Sequence, residues 1–144
     1  KDGILSFDDL DGKTVFTAKG SISGSDMRNL TDKMTVEERD TYPQCVTALM
    51  IGEADAIISD DVILTGLAAD RGGGYLKVVG EPFGEQSYGI AVRNGKSELV
   101  GQIDAALKAM VADGSWSSAV QALKQDIGYT IDVSSNPPKV RRKN

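Results

Sequence analysis

An α/β domain built on a largely parallel sheet is the fold class this sequence predicts, and three observations carry the prediction. Apolar β-forming runs alternate along the chain with runs of helical spacing. Glycine, proline or aspartate closes most of these runs, where turns and caps are expected. Over 144 residues, 40% hydrophobic and 26% charged side chains are enough for one ordinary core.

Lys13 to Ala18 reads as the first strand, followed by the loop Lys19-Gly20-Ser21-Ile22-Ser23-Gly24. A helix is expected from Ser25 or Asp26 to about Lys33, with Met27 and Leu30 inward. Met34 to Arg39 predicts a brief strand. Tyr42 to Ile51 predicts a helix through Cys45, Val46, Leu49 and Met50, stopped by Gly52. Ala54 to Ser59 is the next strand and Asp61 to Ala69 the next helix, with a turn at 71–74. Tyr75 to Val79 and Tyr88 to Val92 read as strands. Two helices follow, Lys96 to Ala112 and Ser115 to about Gln125; Leu99, Ile103, Leu107 and Met110 form an apolar stripe on the first, and Trp116, Val120 and Leu123 lie on the second.

Several chemistries are excluded outright. The chain has no histidine, which removes imidazole bases, Ser-His and Cys-His pairs and histidine zinc sites. The lone Cys45 has no internal partner and sits mid-helix, as an inert buried thiol does. A net charge of −5 argues against a nucleic-acid backbone as main partner. The one basic cluster, Lys139, Arg141, Arg142 and Lys143, lies in a tail expected to be irregular. No apolar run approaches a membrane span, and the start at Lys1 suggests that a segment upstream has been removed.

Apparent motifs fail on spacing. Gly89 to Ser97 ends in Gly-Lys-Ser after a strand, yet five residues separate its glycines where a phosphate loop needs four; Ser97 reads as a helix cap. Gly20-Ser21-Ile22-Ser23-Gly24 is no nucleophile elbow, since the spacing differs and no base exists. Asn29-Leu30-Thr31 matches a glycosylation acceptor inside a predicted helix, a chance match. Two short stretches keep two readings each. The glycine-serine loop is an anion cradle or the cap of the next helix. Asp60, ending the apolar Ala56-Ile57-Ile58 run, caps a helix through its carboxylate or aims it at a ligand.

Three ordered stretches, SFDDLDGKTVFTAKGSIS, RDTYPQCVTALMIGEADAIISDDVILTGLA and KVVGEPFGEQSYGIAVRNGKSELVGQIDAALKAMVADGSW, resemble the extracellular solute-binding proteins (family 3) of polar amino-acid ABC transporters. The resemblance covers about residues 5 to 126. It implies a type II periplasmic binding-protein lobe: 4–86 as the second ligand-binding lobe, 87–95 as the return crossover strand and hinge, 96–127 as helices that normally pack on the first lobe, and 128–144 as an irregular tail. Most of the first lobe would be missing, making the chain a fragment. The implied location is extracytoplasmic, the periplasm or cell surface, with a lipid anchor one option for the parent.

By the same resemblance, Ser21, Ile22 and Ser23 would present amides and hydroxyls to a ligand carboxylate, and Asp60 would accept its ammonium group. Asp61 stays a first-turn residue. The ligand would be a polar amino acid, glutamate- or glutamine-like, passed to an ABC permease; neither cofactor, metal nor catalytic residue is implied. Alternatives are a sensory domain of a signalling protein and, on the same fold, a periplasmic dehydratase, for which no carboxylate pair is evident among Asp60, Asp61, Glu53 and Glu81. Ile22 departs from the threonine usual there and offers only its N–H. Phe16 stands where related sequences carry a cysteine that would pair with Cys45, a staple of about 2–4 kcal/mol. If the first lobe is absent, the stripe on 96–120 is uncovered, and a homodimer through these helices is expected.

Overall fold

Parallel strands need a crossover between them, and here each crossover is a helix. The computed structural model describes residues 3–84 and 86–131, which fall into two units, 1–83 and 84–144. In the first unit the strands β1 (Thr14–Ala18), β2 (Thr35–Arg39) and β3 (Ala56–Ile57) form one sheet in the order β2-β1-β3. Both pairings are parallel. Val15 lies opposite Val36 and Ala56, and Phe16 opposite Glu37 and Ile57. β3 is shorter than the predicted 54–59, although Asp55 N–H to Thr14 O at 2.8 Å and Ile58 N–H to Phe16 O at 2.9 Å extend its contact with β1. The connecting helices are α1 (Ile22–Leu30) between β1 and β2, and α2 (Tyr42–Ile51) between β2 and β3. α3 (Asp61–Arg71) follows β3.

The period of a strand splits the core into two layers. Val15 faces a cluster with Met27, Met34 and Ile58; Phe16 faces one with Cys45, Ala48 and Ala54. β1 is thus covered on both faces, as a central parallel strand should be. The Arg39 guanidinium closes the second layer, 4.1 Å over the Phe16 ring, and is itself held by Glu37 at 3.4 Å and Glu53 at 3.6 Å. Phe16 and Cys45 share one packed cluster, so the two positions that the resemblance pairs by a disulfide are neighbours here.

α2 follows its sequence signals closely. Thr41 and Gln44 form a reciprocal capping box, Pro43 sits in the first turn, and Gly52 ends the helix at φ 84°. Its inward residues are Cys45, Val46 and Ala48, whereas Met50, predicted to face the core, is 49% exposed. α1 departs further. It begins at Ile22, three residues earlier than predicted, because the Ser21 hydroxyl caps it and Gly24 is accepted inside it. Gly24 is buried on β1, and a Cβ there would meet Thr17 Cγ2 at 2.7 Å. With the helix so placed, Met27 is fully buried and Leu30, expected inward, is exposed.

The stretches 75–79 and 88–92, expected as strands, form none. A strand needs a partner segment, and no described strand pairs with either stretch; Tyr75, Val78, Val79, Tyr88 and Ile90 are exposed. Residues 75–83 instead fold back to the start of the same unit, where Phe7 and Phe83 meet edge to face at 5.6 Å. The second unit holds α4 (Ser97–Ala112) and α5 (Ser115–Ile127), which pack on each other with no residue fully buried. Ser97 is not the cap of α4; Lys96 occupies that position without a side-chain bond. α5 is capped from outside by Asp113, whose carboxylate takes the Ser115 N–H at 2.9 Å; its hydrogen bonds with the Ser115 side chain and amide hold it below the usual range. Beyond residue 131 the expected tail, with its basic cluster, lies outside the described residues, as does Glu85 of the expected second lobe.

Burial pushes the Cys45 thiol above its ordinary value of 9.0. A raised folded-state value stabilises the fold below the ordinary value and loses that contribution as pH rises through it. Iodoacetamide pulses at pH 8.5 should leave Cys45 unmodified in the native chain and modify it in denaturant; fast labelling of the native chain would contradict the burial described here.

Candidate functional site

The carboxyl ends of β1, β2 and β3 all lie on one edge of the sheet, because every pairing is parallel. The N-termini of α1, α2 and α3 therefore gather on that edge, and each brings backbone N–H groups without intrahelical partners and the positive end of its dipole. β1 and β3 are neighbours, so the turn leaving β1 and the turn leaving β3 are adjacent. Ser21, Ile22 and Ser23 belong to the first turn and Asp60 to the second. The structure brings all four predicted residues to one edge.

Each has a definite local role. Ser21 is the N-cap of α1, with extended backbone, and its Oγ accepts the Ser23 N–H at 3.3 Å. The cap reading of the loop therefore holds, but the cap is Ser21 and not Ser23 or Ser25, the serines expected to cap this helix. Ser25 turns its hydroxyl back to Ile22 O at 2.8 Å. Ile22 opens α1 with its side chain 61% exposed on the rim. Asp60 occupies the N-cap position of α3, but its side chain makes no cap hydrogen bond. Its carbonyl accepts Leu64 N–H at 3.0 Å, the first hydrogen bond of the helix. Asp61 lies in the first turn, as expected, and takes the Val62 N–H at 2.7 Å.

Sequence reasoning missed Tyr42. The first residue of α2 donates its hydroxyl to Ser21 Oγ at 3.1 Å, while its ring packs on the cluster of Phe16, Cys45 and Ala48. The signal available was an aromatic residue with a polar tip at the start of a helix on the carboxyl edge. Two further hydroxyls lie at the same edge. Thr17 Oγ1 and Ser59 Oγ are buried without a hydrogen-bond partner in the protein. Thr17, fully buried, faces the first turn of α1 at Gly24, and Ser59 directly precedes Asp60.

A depression of about 470 Å³ lies beside α2 between Arg39, Gln44, Ile51 and Glu53. It contains none of the four predicted residues, and its cation is already held by Glu37 and Glu53. Among the described residues no group of three or more His, Cys, Asp or Glu is placed to hold a metal, and no helix is long and apolar enough to cross a membrane. Replacing Ser21 by Ala should cost about 1 kcal/mol of stability in urea titration, because the cap of α1 is lost; an unchanged midpoint would mean that the hydroxyl does not cap.

No family model matches the chain. Individual proteins do. Over 116 residues, 80% of this chain, it is 37% identical to the ABC transporter glutamine-binding protein GlnH of Bacillus subtilis, covering 42% of that protein. Over 137 residues, 92% of this chain, it is 37% identical to the glutamate-binding protein GluB of Corynebacterium efficiens, covering 46%. Among solved structures, an ancestral arginine-binding protein bound to glutamine superposes with a TM-score of 0.72 at 31% identity, over 90% of this chain and 56% of that one. The chain spans about half the length of the curated relatives it matches. On sequence and fold together, the chain is homologous to about half of the length of the family 3 solute-binding proteins of ABC transporters.

Proposed function

We propose that the chain supplies one face of a binding site for a polar α-amino acid, glutamate- or glutamine-like, as part of the extracytoplasmic receptor of an ABC importer that hands its ligand to a permease. The observation that carries this reading is the pairing of opposite polarities on one sheet edge. Amides of the Ser21–Ser23 turn stand at the positive end of α1. Asp60 sits on the neighbouring turn with a carboxylate that does not cap its helix. A zwitterion needs one anion site and one cation site. In open α/β sheets, ligands bind outside the carboxyl ends of the strands. The names of the relatives, glutamine- and glutamate-binding, support the ligand class, and all are binding proteins rather than enzymes. In this reading Ser21, Ile22 and Ser23 meet the carboxylate and Asp60 the ammonium group.

An amide-resolved NMR titration of the 144-residue chain with glutamine, glutamate and a hydrophobic amino acid tests the reading. Shifts at Gly20–Ser25 and at Asp60 are expected for the polar ligands. Asp60→Ala should weaken binding by at least about 30-fold, the loss of a paired charge. Glutamine or glutamate shifts confined to other parts of the chain would overturn it.

The same reading includes self-association through α4 and α5. Neither helix has a fully buried residue, and Leu99 and Val111 are 43% and 39% exposed. Apolar helix faces of this kind favour association. Light scattering at rising concentration should report a dimer, and Leu99→Glu should return it to monomer; a wild-type monomer at millimolar concentration would remove this part of the proposal.

A further inference from the structure

Ser21 Oγ accepts the Ser23 N–H at 3.3 Å and lies 3.1 Å from Tyr42 Oη; the phenol, the more acidic of the two hydroxyls, is the better donor, so Ser21 Oγ accepts from it as well. A serine hydroxyl has two acceptor positions and one hydrogen to give. With both acceptor positions filled, the hydrogen is the capacity that remains. We propose that Tyr42 is a positioning residue that fixes Ser21 as a hydrogen-bond donor toward the carboxylate of the ligand, an inference that rests on the amino-acid reading above.

The hydroxyl of Tyr42 is not needed for its own helix. α2 is capped by the reciprocal Thr41–Gln44 pair, and the tyrosine ring is held by the cluster beneath it. The hydroxyl therefore reaches across to α1 as an addition to a position already fixed. Its effect is one of polarity. Without Tyr42, Ser21 could accept from an ammonium group or an amide NH₂ as readily as donate. With it, Ser21 offers a hydrogen at the positive end of α1, where an anion is favoured. Hydrogen bonds in a chain polarise one another, so Tyr42 also strengthens what Ser21 gives to an anion. Ile22, next along the rim, brings no side-chain donor, which leaves Ser21 as the hydroxyl through which this control acts. The orientation of the zwitterion follows: carboxylate toward α1, ammonium toward Asp60.

The test uses the whole chain with acetate, acetamide and glutamine as probes, followed at the amides of Ser21, Ile22 and Ser23. Tyr42→Phe keeps the ring and removes the hydroxyl. It should weaken acetate and glutamine about 3- to 10-fold, the worth of one hydrogen bond, and leave the neutral acetamide unchanged. In a Ser21→Ala background the same change should do nothing further. Equal losses for acetate and acetamide, or additive losses in the double variant, would make Tyr42 merely structural and overturn the proposal. Full-strength acetate and glutamine binding by Tyr42→Phe overturns it alone and leaves the amino-acid reading standing. A wild-type chain that binds acetate at these amides but not glutamine removes the amino-acid reading, while the acetate series still decides the role of Tyr42. No response of these amides to either probe overturns both.

Discussion

The parallel pairing of β1 with both its neighbours is the constraint on which the rest depends. Because Val15 and Phe16 are matched on either side in the same direction, each strand must be left at the same edge and re-entered through a helix. Three helix N-termini are thereby delivered to one line of turns. An antiparallel arrangement would have scattered them over two edges, with no concentration of orphan amides and no carboxylate beside them. The polar chemistry of the edge is thus a consequence of strand direction, and the apolar composition of β1 exists to hold that direction in the middle of the sheet.

Energetically the edge stands on the two layers below it. Val15, Phe16, Met27 and Cys45 are at most 1% exposed, and each large apolar side chain so buried contributes about 1.5–3 kcal/mol relative to exposure. The ion pairs at the surface are of another order. Arg28 with Glu38 at 3.1 Å and Lys33 with Asp11 at 3.1 Å are solvent-exposed pairs, worth up to about 1 kcal/mol each. Arg28 matters more for position, since it also donates to Val36 O and ties α1 to β2. Burial fixes the sheet, and the charged contacts trim where the helices lie on it.

How far the sequence could be read differs from element to element for physical reasons. α2 was legible to the residue, because Thr41, Gln44, Pro43 and Gly52 are local signals that act within the element they mark. The start of α1 was not. Glycines and serines at 20–24 look like loop, and Gly24 inside a helix costs about 1 kcal/mol against Ala; what decides the matter is Thr17, seven positions back, against which only a glycine can sit. Residues 75–79 and 88–92 have the β-forming composition of strands, but a strand is a property of two segments, and composition in one says nothing of its partner. The candidate residues Ser21, Ile22, Ser23 and Asp60 were named through a resemblance to related proteins, whereas the bond from Tyr42 to Ser21 spans 21 positions and leaves no pattern in either neighbourhood.

Gly24 links these strands of argument. The missing side chain lets α1 settle onto β1 until the space for a Cβ is only 2.7 Å from Thr17 Cγ2. That approach sets the depth of the first turn of α1, and so the height at which Ser21 stands above the sheet edge. Tyr42 is held independently, by the cluster on the opposite face of the sheet. The 3.1 Å bond between them therefore measures the agreement of two packings, one on each side of β1. A larger residue at 24 would lift α1 while leaving Tyr42 in place, stretching this bond before it disturbed the core. The geometry of the edge is in this sense more demanding than the stability of the fold, and a glycine that weakens its helix is retained by the position it gives to the cap.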